Sequence, residues 1–359
     1  MKEMEKPFFT VVMPAYGVEK YLEDAVGSIL EQTFSDWELL IVEDGSPDGT
    51  GTLADRIAQK DSRIRVIHHP QNRGLSEARN TGIDAAAGQY VWFMDPDDKV
   101  DRDILEKVHL SLAENPAQLV IFGHTEEYYG ADGTLNYTHQ ILPEKKRFSS
   151  KGELRSYVIR LEQETIYGYA WNKMYSLDYI REKGLRFETV TLIEDIVFNI
   201  QYCMDIESMN ILDITPYHYA KRLEGSLTTK FVPDYYELHH RRIRMLYEQQ
   251  QYWHTDTDGT CAILGSLYGR YILSALERNC DKRAGMSHRD RKRFCRDVFA
   301  SPLFRALIPK AQAQDSRALK IALALMKAGN TTLCLALGRA VHLVRSGMPM
   351  LYSKVKSER

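Results

Sequence analysis

The sequence predicts an α/β fold, an open and mostly parallel sheet flanked by helices, with a helical C-terminal extension. Two observations carry that reading. In the N-terminal third, short β-branched apolar runs alternate with stretches of helical periodicity, and Gly/Asp/Pro-rich loops join them. That is the pattern of strand–helix–strand units feeding one parallel sheet. From Val232 onward the strand signals fade and long amphipathic helical patterns take over.

The elements follow in order. Phe8 to Met13 is a β-branched apolar run that Pro14 is expected to stop, as in a buried parallel strand. Val18 to Gln32 reads as a helix, with Leu22, Val26, Ile29 and Leu30 on one face. A strand (Trp37 to Val42) leads into the turn Asp44-Gly45-Ser46-Pro47-Asp48-Gly49. Helix (Thr52 to Gln59), strand (Arg63 to His68), helix (Ser76 to Ala87) and strand (Tyr90 to Met94) come next. A further helix (Asp103 to Ala113) and strand (Gln118 to Gly123) complete the series, and Phe122 to His139 reads as a Tyr-rich hairpin around Ala131-Asp132-Gly133. A domain boundary is placed near Pro233, giving regions 1–232 and 233–359.

Composition narrows the class. With 359 residues, 44% hydrophobic and 27% charged, the chain has room for a sizeable core. Its net charge of -2 hides an asymmetry: residues 281–359 hold 17 Lys+Arg against 5 Asp+Glu, leaving 30 against 44 before them. An acidic front suits metal chemistry and a basic tail suits an anionic surface or partner. Five scattered cysteines without metal-ligand spacing, no apolar leader and no long apolar run predict reduced thiols and a cytoplasmic protein. No nucleic-acid-binding motif accompanies the basic charge, so nucleic acid is not an expected partner.

The polar motifs fall after strands, where open α/β sheets bind ligands. Glu43-Asp44-Gly45-Ser46 follows the second strand; Asp44 offers an acceptor to a nucleobase or ribose, and Gly45 admits close backbone approach. Asp95-Pro96-Asp97-Asp98 follows the fourth strand. Three carboxylates in four residues repel one another, and a hard cation such as Mg²⁺ or Mn²⁺ relieves the repulsion while bridging to phosphate. Glu194-Asp195, preceded by Thr191-Leu192-Ile193 and followed by Ile196, Val197 and Phe198, is a carboxylate pair in apolar surroundings, which suits a general base.

Taken in order, these segments resemble glycosyltransferase family 2, inverting enzymes of the GT-A fold. The resemblance runs through Pro14-Ala15-Tyr16, Ser28 to Thr33, Glu43 to Ser46, Asn72 to Gly82 and the Asp95 cluster. It continues through Trp171-Asn172-Lys173 and Glu194-Asp195 to Tyr219 and Ser226-Leu227-Thr228, covering about residues 7 to 230. Gly17 stands where the family usually has asparagine, and Glu43 where it has the first of two aspartates. The tail is similar to helical extensions of polysaccharide-assembly members.

The resemblance implies a nucleotide-sugar half at about 7–125 and an acceptor half at about 126–232. It implies a UDP-sugar donor, a Mn²⁺ or Mg²⁺ cofactor, and a glycan, polysaccharide or lipid-linked acceptor in cell-surface polysaccharide synthesis. By position, Pro14 and Tyr16 would border the nucleobase, Asp44 would read the uracil edge and Arg79 would lie near the diphosphate or donor sugar. Asp95 would contact ribose or metal-bound water, Asp97 would hold the metal and Asp98 would orient the sugar or the groups behind the site. Asp195 would be the base, with Glu194 supporting it. Lys173 and Trp171 would stand on the acceptor side. Arg222 lies near the family's late arginine. The basic tail would contact the inner face of the membrane peripherally or form a homo-oligomer. The rival readings are a degenerate glycan-binding scaffold subunit and a nucleotidyltransferase. The second would carry a glycine-rich basic loop after the first strand, where this chain has Pro14-Ala15-Tyr16-Gly17.

Overall fold

The structure, a computed structural model, describes residues 6–130, 132–190, 192–222, 231–313 and 317–347. It divides into two compact units, Met1–Thr229 and Lys230–Arg359.

The first unit opens with the expected alternation: β1 (Phe9–Ala15), α1 (Leu22–Leu30), β2 (Trp37–Glu43), α2 (Thr50–Ala58), β3 (Ile64–His68), α3 (Leu75–Ala85) and β4 (Tyr90–Phe93). Then come β5 (Lys99–Val100), α4 (Ile104–Glu114), β6 (Leu119–Tyr129), β7 (Leu135–Ile141), β8 (Lys146–Phe148) and α5 (Lys151–Gln163). The unit ends with β9 (Lys173–Ser176), α6 (Leu177–Glu182), α7 (Glu194–Cys203) and β10 (Met209–Lys221). The sheet runs β3-β2-β1-β4-β9-β6-β10-β5, with β7 on β6 and β8 on β10. Strands β3, β2, β1 and β4 are mutually parallel, and β6 and β10 are parallel. The two blocks are joined by β9, antiparallel to both β4 and β6. Every residue of β1 is buried, as are Leu39 to Glu43 of β2, which is why these strands read as unbroken apolar runs.

Two boundaries differ from expectation. Pro14 does not end β1. Val12 O accepts from Met94 N on the β4 side, so the Pro14 nitrogen faces that side beyond the end of β4, where no strand donor is needed. The first helix starts at Leu22 rather than Val18, because Gly17 N, Val18 N and Glu19 N donate to Ser46 Oγ, Thr50 Oγ1 and Asp48 Oδ2 of the β2–α2 connection. A hydrogen-bonded turn, with Tyr21 N and Leu22 N donating to Val18 O, leads from these contacts into the helix.

The second unit is helical: α8 (Tyr235–Tyr252), α9 (Asp258–Arg278), α10 (His288–Ala300), α11 (Pro302–Leu307), α12 (Arg317–Lys327) and α13 (Thr331–Gly347). Its core is built on α9, whose Cys261, Leu264, Tyr268, Ile272 and Leu276 are buried. The stretch from Ala318 to Val344 is two helices, broken where Gly329 turns at φ 64°, a left-handed value that glycine adopts without strain. All five cysteines are free. Among the described residues no helix is long and apolar enough to cross a membrane.

Candidate active site

Helix α3 and the loop before it organise the site at the carboxyl ends of β1, β2 and β4. The loop's backbone is held by Asp44, whose oxygens accept from Arg73 N at 2.9 Å and Gly74 N at 2.8 Å. Asp44 Oδ1 also lies 2.6 Å from His69 Nδ1, and the ring's other nitrogen is 2.9 Å from Thr81 Oγ1. Gly45 makes this closure possible: its φ is 68°, and an added Cβ would stand 2.6 Å from the Gln71 carbonyl carbon. Further along α3, Ser76 Oγ donates to Glu188 O at 2.8 Å, while Asn80 exchanges two bonds with the Phe187 backbone. The sequence Asn72 to Gly82 thus ties β2 on one side and the segment leading to Asp195 on the other.

Between those contacts lies Arg79, 1% exposed. Its guanidinium donates through one terminal nitrogen to Asp195 Oδ1 and through the other to Asp95 Oδ1 at 3.3 Å, and it sits over the Phe187 ring. Burial alone would make Arg79 easier to deprotonate. Its carboxylate partners Asp195, Asp95 and Glu194 outweigh that and hold it charged. Asp195 Oδ2 accepts from Ala170 N at 2.9 Å. Glu194 and Asp195 open α7, where the helix dipole favours anions. The preceding Leu192 is held at φ 68°, a strained value for a leucine, and Thr191 lies outside the described residues.

The acidic turn is pinned from the other block. Tyr217 OH on β10 donates to Asp98 Oδ2 at 2.8 Å and accepts from Asp95 N at 3.1 Å, while Ala220 N donates to Asp98 Oδ1 at 2.8 Å. Asp97 stands at the rim and is gripped by Arg222, to its carboxylate at 3.2 Å and its carbonyl at 3.1 Å. Five carboxylates (Asp95, Asp97, Asp98, Glu194 and Asp195) therefore face two guanidiniums. Burial, with Asp97 and Asp195 adding repulsion against the pull of Arg79, pushes Asp95 up to about 6. Burial and Asp195 push Glu194 up to about 7. Asp97 and Asp98 are raised as well, Asp98 by burial and then by Asp97 and Asp95. This clustering of carboxylates is electrostatically favourable to a cation and unfavourable to a bare anion.

Donor chemistry fits a hard divalent ion, since every group offered is a carboxylate oxygen. Among the described residues no group of three or more His/Cys/Asp/Glu forms a protein-only metal cage. A Mg²⁺ ion held by only one or two carboxylates typically takes its remaining ligands from phosphate and water.

Several sequence expectations change. Pro14 is buried within β1 and presents no side chain to a ligand. Tyr16, just beyond it, is 50% exposed and free to take a stacked base. Asp44 is 2% exposed and turned inward, so it builds the loop rather than presenting an open edge to uracil. Asp98 is 1% exposed with both oxygens used, which fits the second of the two placements expected for it, a residue that positions the turn from behind.

Lys173 and Trp171 are buried and present no surface of their own to an acceptor. Lys173 is fully buried, and its ammonium donates to Ile166 O, Tyr169 O and Asn172 Oδ1 at 2.6–2.9 Å. Trp171, 2% exposed, is sandwiched between Tyr169 at 4.6 Å and Tyr217 at 4.4 Å. Lys173→Met should therefore lower thermal stability, at roughly 1–3 kcal/mol for each stranded acceptor, rather than raise the acceptor KM. Burial also pushes Lys173 down to about 7. Between that value and about 10.4 the unfolded chain binds the extra proton, so this group adds stability as pH rises. Melting curves at pH 7 and 9.5 should show the gain in wild type and its loss in Lys173→Met. An unchanged melt together with a raised acceptor KM would restore the surface role.

His69, Tyr217 and Arg222 complete the site. The position of His69 after a parallel strand was its only sequence signal, and Tyr217 had none, being one of two tyrosines in β10.

The chain is similar to known glycosyltransferases. Residues 10–182 match the family described as Glycosyl transferase family 2. The uncharacterized glycosyltransferase EpsJ of Bacillus subtilis is 34% identical over 223 residues, covering 62% of this chain and 63% of EpsJ. The putative teichuronic acid biosynthesis glycosyltransferase TuaG of the same organism is 42% identical over 102 residues, 28% of this chain and 40% of TuaG. The chain thus spans less than two thirds of the length of these relatives. The crystal structure of S. aureus TarS 1-349 in complex with UDP-GlcNAc aligns with a TM-score of 0.62 over 95% of this chain and 92% of that one, at 18% identity. That likeness establishes a shared GT-A fold.

Proposed function

From the premise that residues 10–182 are a glycosyltransferase family 2 domain, we propose that this chain is an inverting glycosyltransferase. It moves a sugar from a UDP-sugar to a glycan, polysaccharide or lipid-linked acceptor in bacterial cell-surface polysaccharide synthesis. The observation that carries the reading is Arg79, buried and joining the base candidate Asp195 to the first aspartate of the acidic turn. One rigid residue thereby fixes the distance between the centre that takes a proton and the centre that meets the diphosphate. UDP as the nucleotide rests on the TarS complexes with UDP-GlcNAc and UDP.

Asp97 would hold the divalent cation, Mn²⁺ or Mg²⁺, which when bound supplies positive charge for the diphosphate. Asp95 orients the turn against Arg79, and Arg222 adds a second cation at the rim. Asp195 accepts the proton of the acceptor hydroxyl as its oxygen attacks the anomeric carbon. The bond to UDP breaks on the opposite face and its electron pair leaves with the diphosphate, so a single displacement inverts the anomeric centre. Tyr16 stacks on the base. On the acceptor side, the half-buried rings of Tyr169 and Tyr219 flank Trp171, and Lys221 lies 5.6 Å from Tyr219 and 5.0 Å from Tyr128. Tyr169 directly precedes Ala170, whose N–H holds Asp195. This aromatic shelf gives an acceptor sugar a face to stack on beside the base.

The test is a panel of nucleotide-sugars with and without Mn²⁺, read by thermal shift and by UDP release. One UDP-sugar should stabilise the protein selectively, by about 2.7 kcal/mol at a hundredfold excess over its Kd. UDP should be released on turnover. In Asp97→Ala the Mn²⁺-dependent part of UDP affinity should fall at least tenfold. Binding of donors with no UDP release under any condition would support the scaffold reading instead.

A further inference from the structure

We propose that the α12–α13 hairpin is a docking face for an anionic membrane surface, with both helices lying flat in the headgroup region. From residue 317 to 347 the chain carries Arg317, Lys320, Lys327, Arg339 and Arg345 and no Asp or Glu. Both helices pack one side against α9. The buried side of α12 is Leu319, Ala322, Leu323 and Met326, and that of α13 is Cys334 and Gly338. The α13 side is also fastened by charge, because the buried Glu277 of α9 accepts from His342 Nδ1 at 3.0 Å and Arg345 at 2.7 Å.

The opposite sides are exposed, and they mix apolar side chains with cations. On α13 they present Leu333 (49% exposed), Ala336, Ala340, Leu343 (62%) and Val344 (43%), at helical spacing around Arg339. On α12 they present Ile321 (53%) and Ala324, flanked by Arg317, Lys320 and Lys327. Four of the exposed large hydrophobics of the described chain are thus gathered on one hairpin. Lys327 donates to Ala311 O and Arg345 to Glu277, while Arg317, Lys320 and Arg339 stand beside the exposed apolar side chains; apolar residues set among cations suit the boundary between acyl chains and anionic headgroups. A second copy of this chain suits the face poorly: in a two-fold contact the same cations would oppose one another. The proposal does not depend on the donor or on the transfer reaction, because binding is measured without either.

Flotation of the full chain with vesicles of 30% phosphatidylglycerol and 70% phosphatidylcholine tests it, against vesicles of pure phosphatidylcholine. Wild type should partition at least tenfold better onto the anionic vesicles, and 0.5 M salt should weaken binding. Arg317→Glu with Lys320→Glu and Arg339→Glu should remove that preference, with melting temperature and UDP release unchanged. Leu333→Gln with Leu343→Gln should weaken binding to the anionic vesicles at least fivefold. Equal binding to both vesicles, or full retention by the charge-reversed protein, would overturn the proposal. So would a dimer in sedimentation equilibrium that the leucine variant dissociates while vesicle binding stays at wild-type level.

Discussion

Asp195→Asn should lower the rate of sugar transfer by about 10²–10⁴-fold, the usual worth of a positioned general base, while UDP and Mn²⁺ still bind. The amide keeps the shape of the carboxylate but cannot take the acceptor's proton. It also meets two donors, Arg79 and Ala170 N, with only one oxygen, so one of those contacts is lost. Some loss of stability is therefore expected beside the loss of rate, and UDP affinity serves as the control for an intact site. The companion variant decides between the paired carboxylates. Glu194 sits near 7 because of burial and Asp195, an acidity that would also serve a base. Glu194→Gln should cost no more than about tenfold if it only supports its neighbour. A collapse in Glu194→Gln alongside near-normal transfer by Asp195→Asn would move the base one residue back.

The second large effect is expected at Arg79. Arg79→Met would leave Asp195 and Asp95 facing each other with no positive charge between them. Breaking a buried pair by removing one partner costs about 3–5 kcal/mol. The melting temperature should fall, and transfer should fall at least a hundredfold, because the base loses its orientation and the acidic turn its inner anchor. Arg79→Lys separates charge from shape. Its ammonium restores a cation but cannot place two terminal nitrogens on two carboxylates. We expect Arg79→Lys to recover much of the stability and little of the rate. If Arg79→Met kept both stability and transfer within threefold of wild type, the bridge would have no mechanistic role.

Much of this protein was legible along the chain because its information is local there. Buried parallel strands must be apolar on both faces, so β1, β2 and β4 announce themselves, while β3 lies at the sheet edge with Arg65 and His68 exposed. The Tyr-rich hairpin of β6 and β7 did so through its turn. Helix boundaries were less secure, and α1 starts late because side chains from the β2–α2 connection take its first donors.

Four-residue β9 was not legible at all. It carries Lys173, and only its place between β4 and β6 makes it the reversed strand that joins the sheet. Lys173 was misread for the same reason. A lysine normally keeps its ammonium in water, and nothing in the sequence shows that three oxygen acceptors lie 2.6–2.9 Å away inside the core.

The sequence by itself determined the parallel α/β class, the positions of the carboxylate motifs after strands, and the basic tail, which from 317 to 347 holds no Asp or Glu. These depend on periodicity and composition, which neighbouring residues carry. Only the tertiary structure decided which carboxylates meet. It turned Asp44 and Asp98 inward as fasteners, left Asp97 at the rim, and set Arg79 between Asp95 and Asp195, residues 100 positions apart. A carboxylate's role depends on which donors surround it and how much water it keeps, and both come from segments distant in sequence.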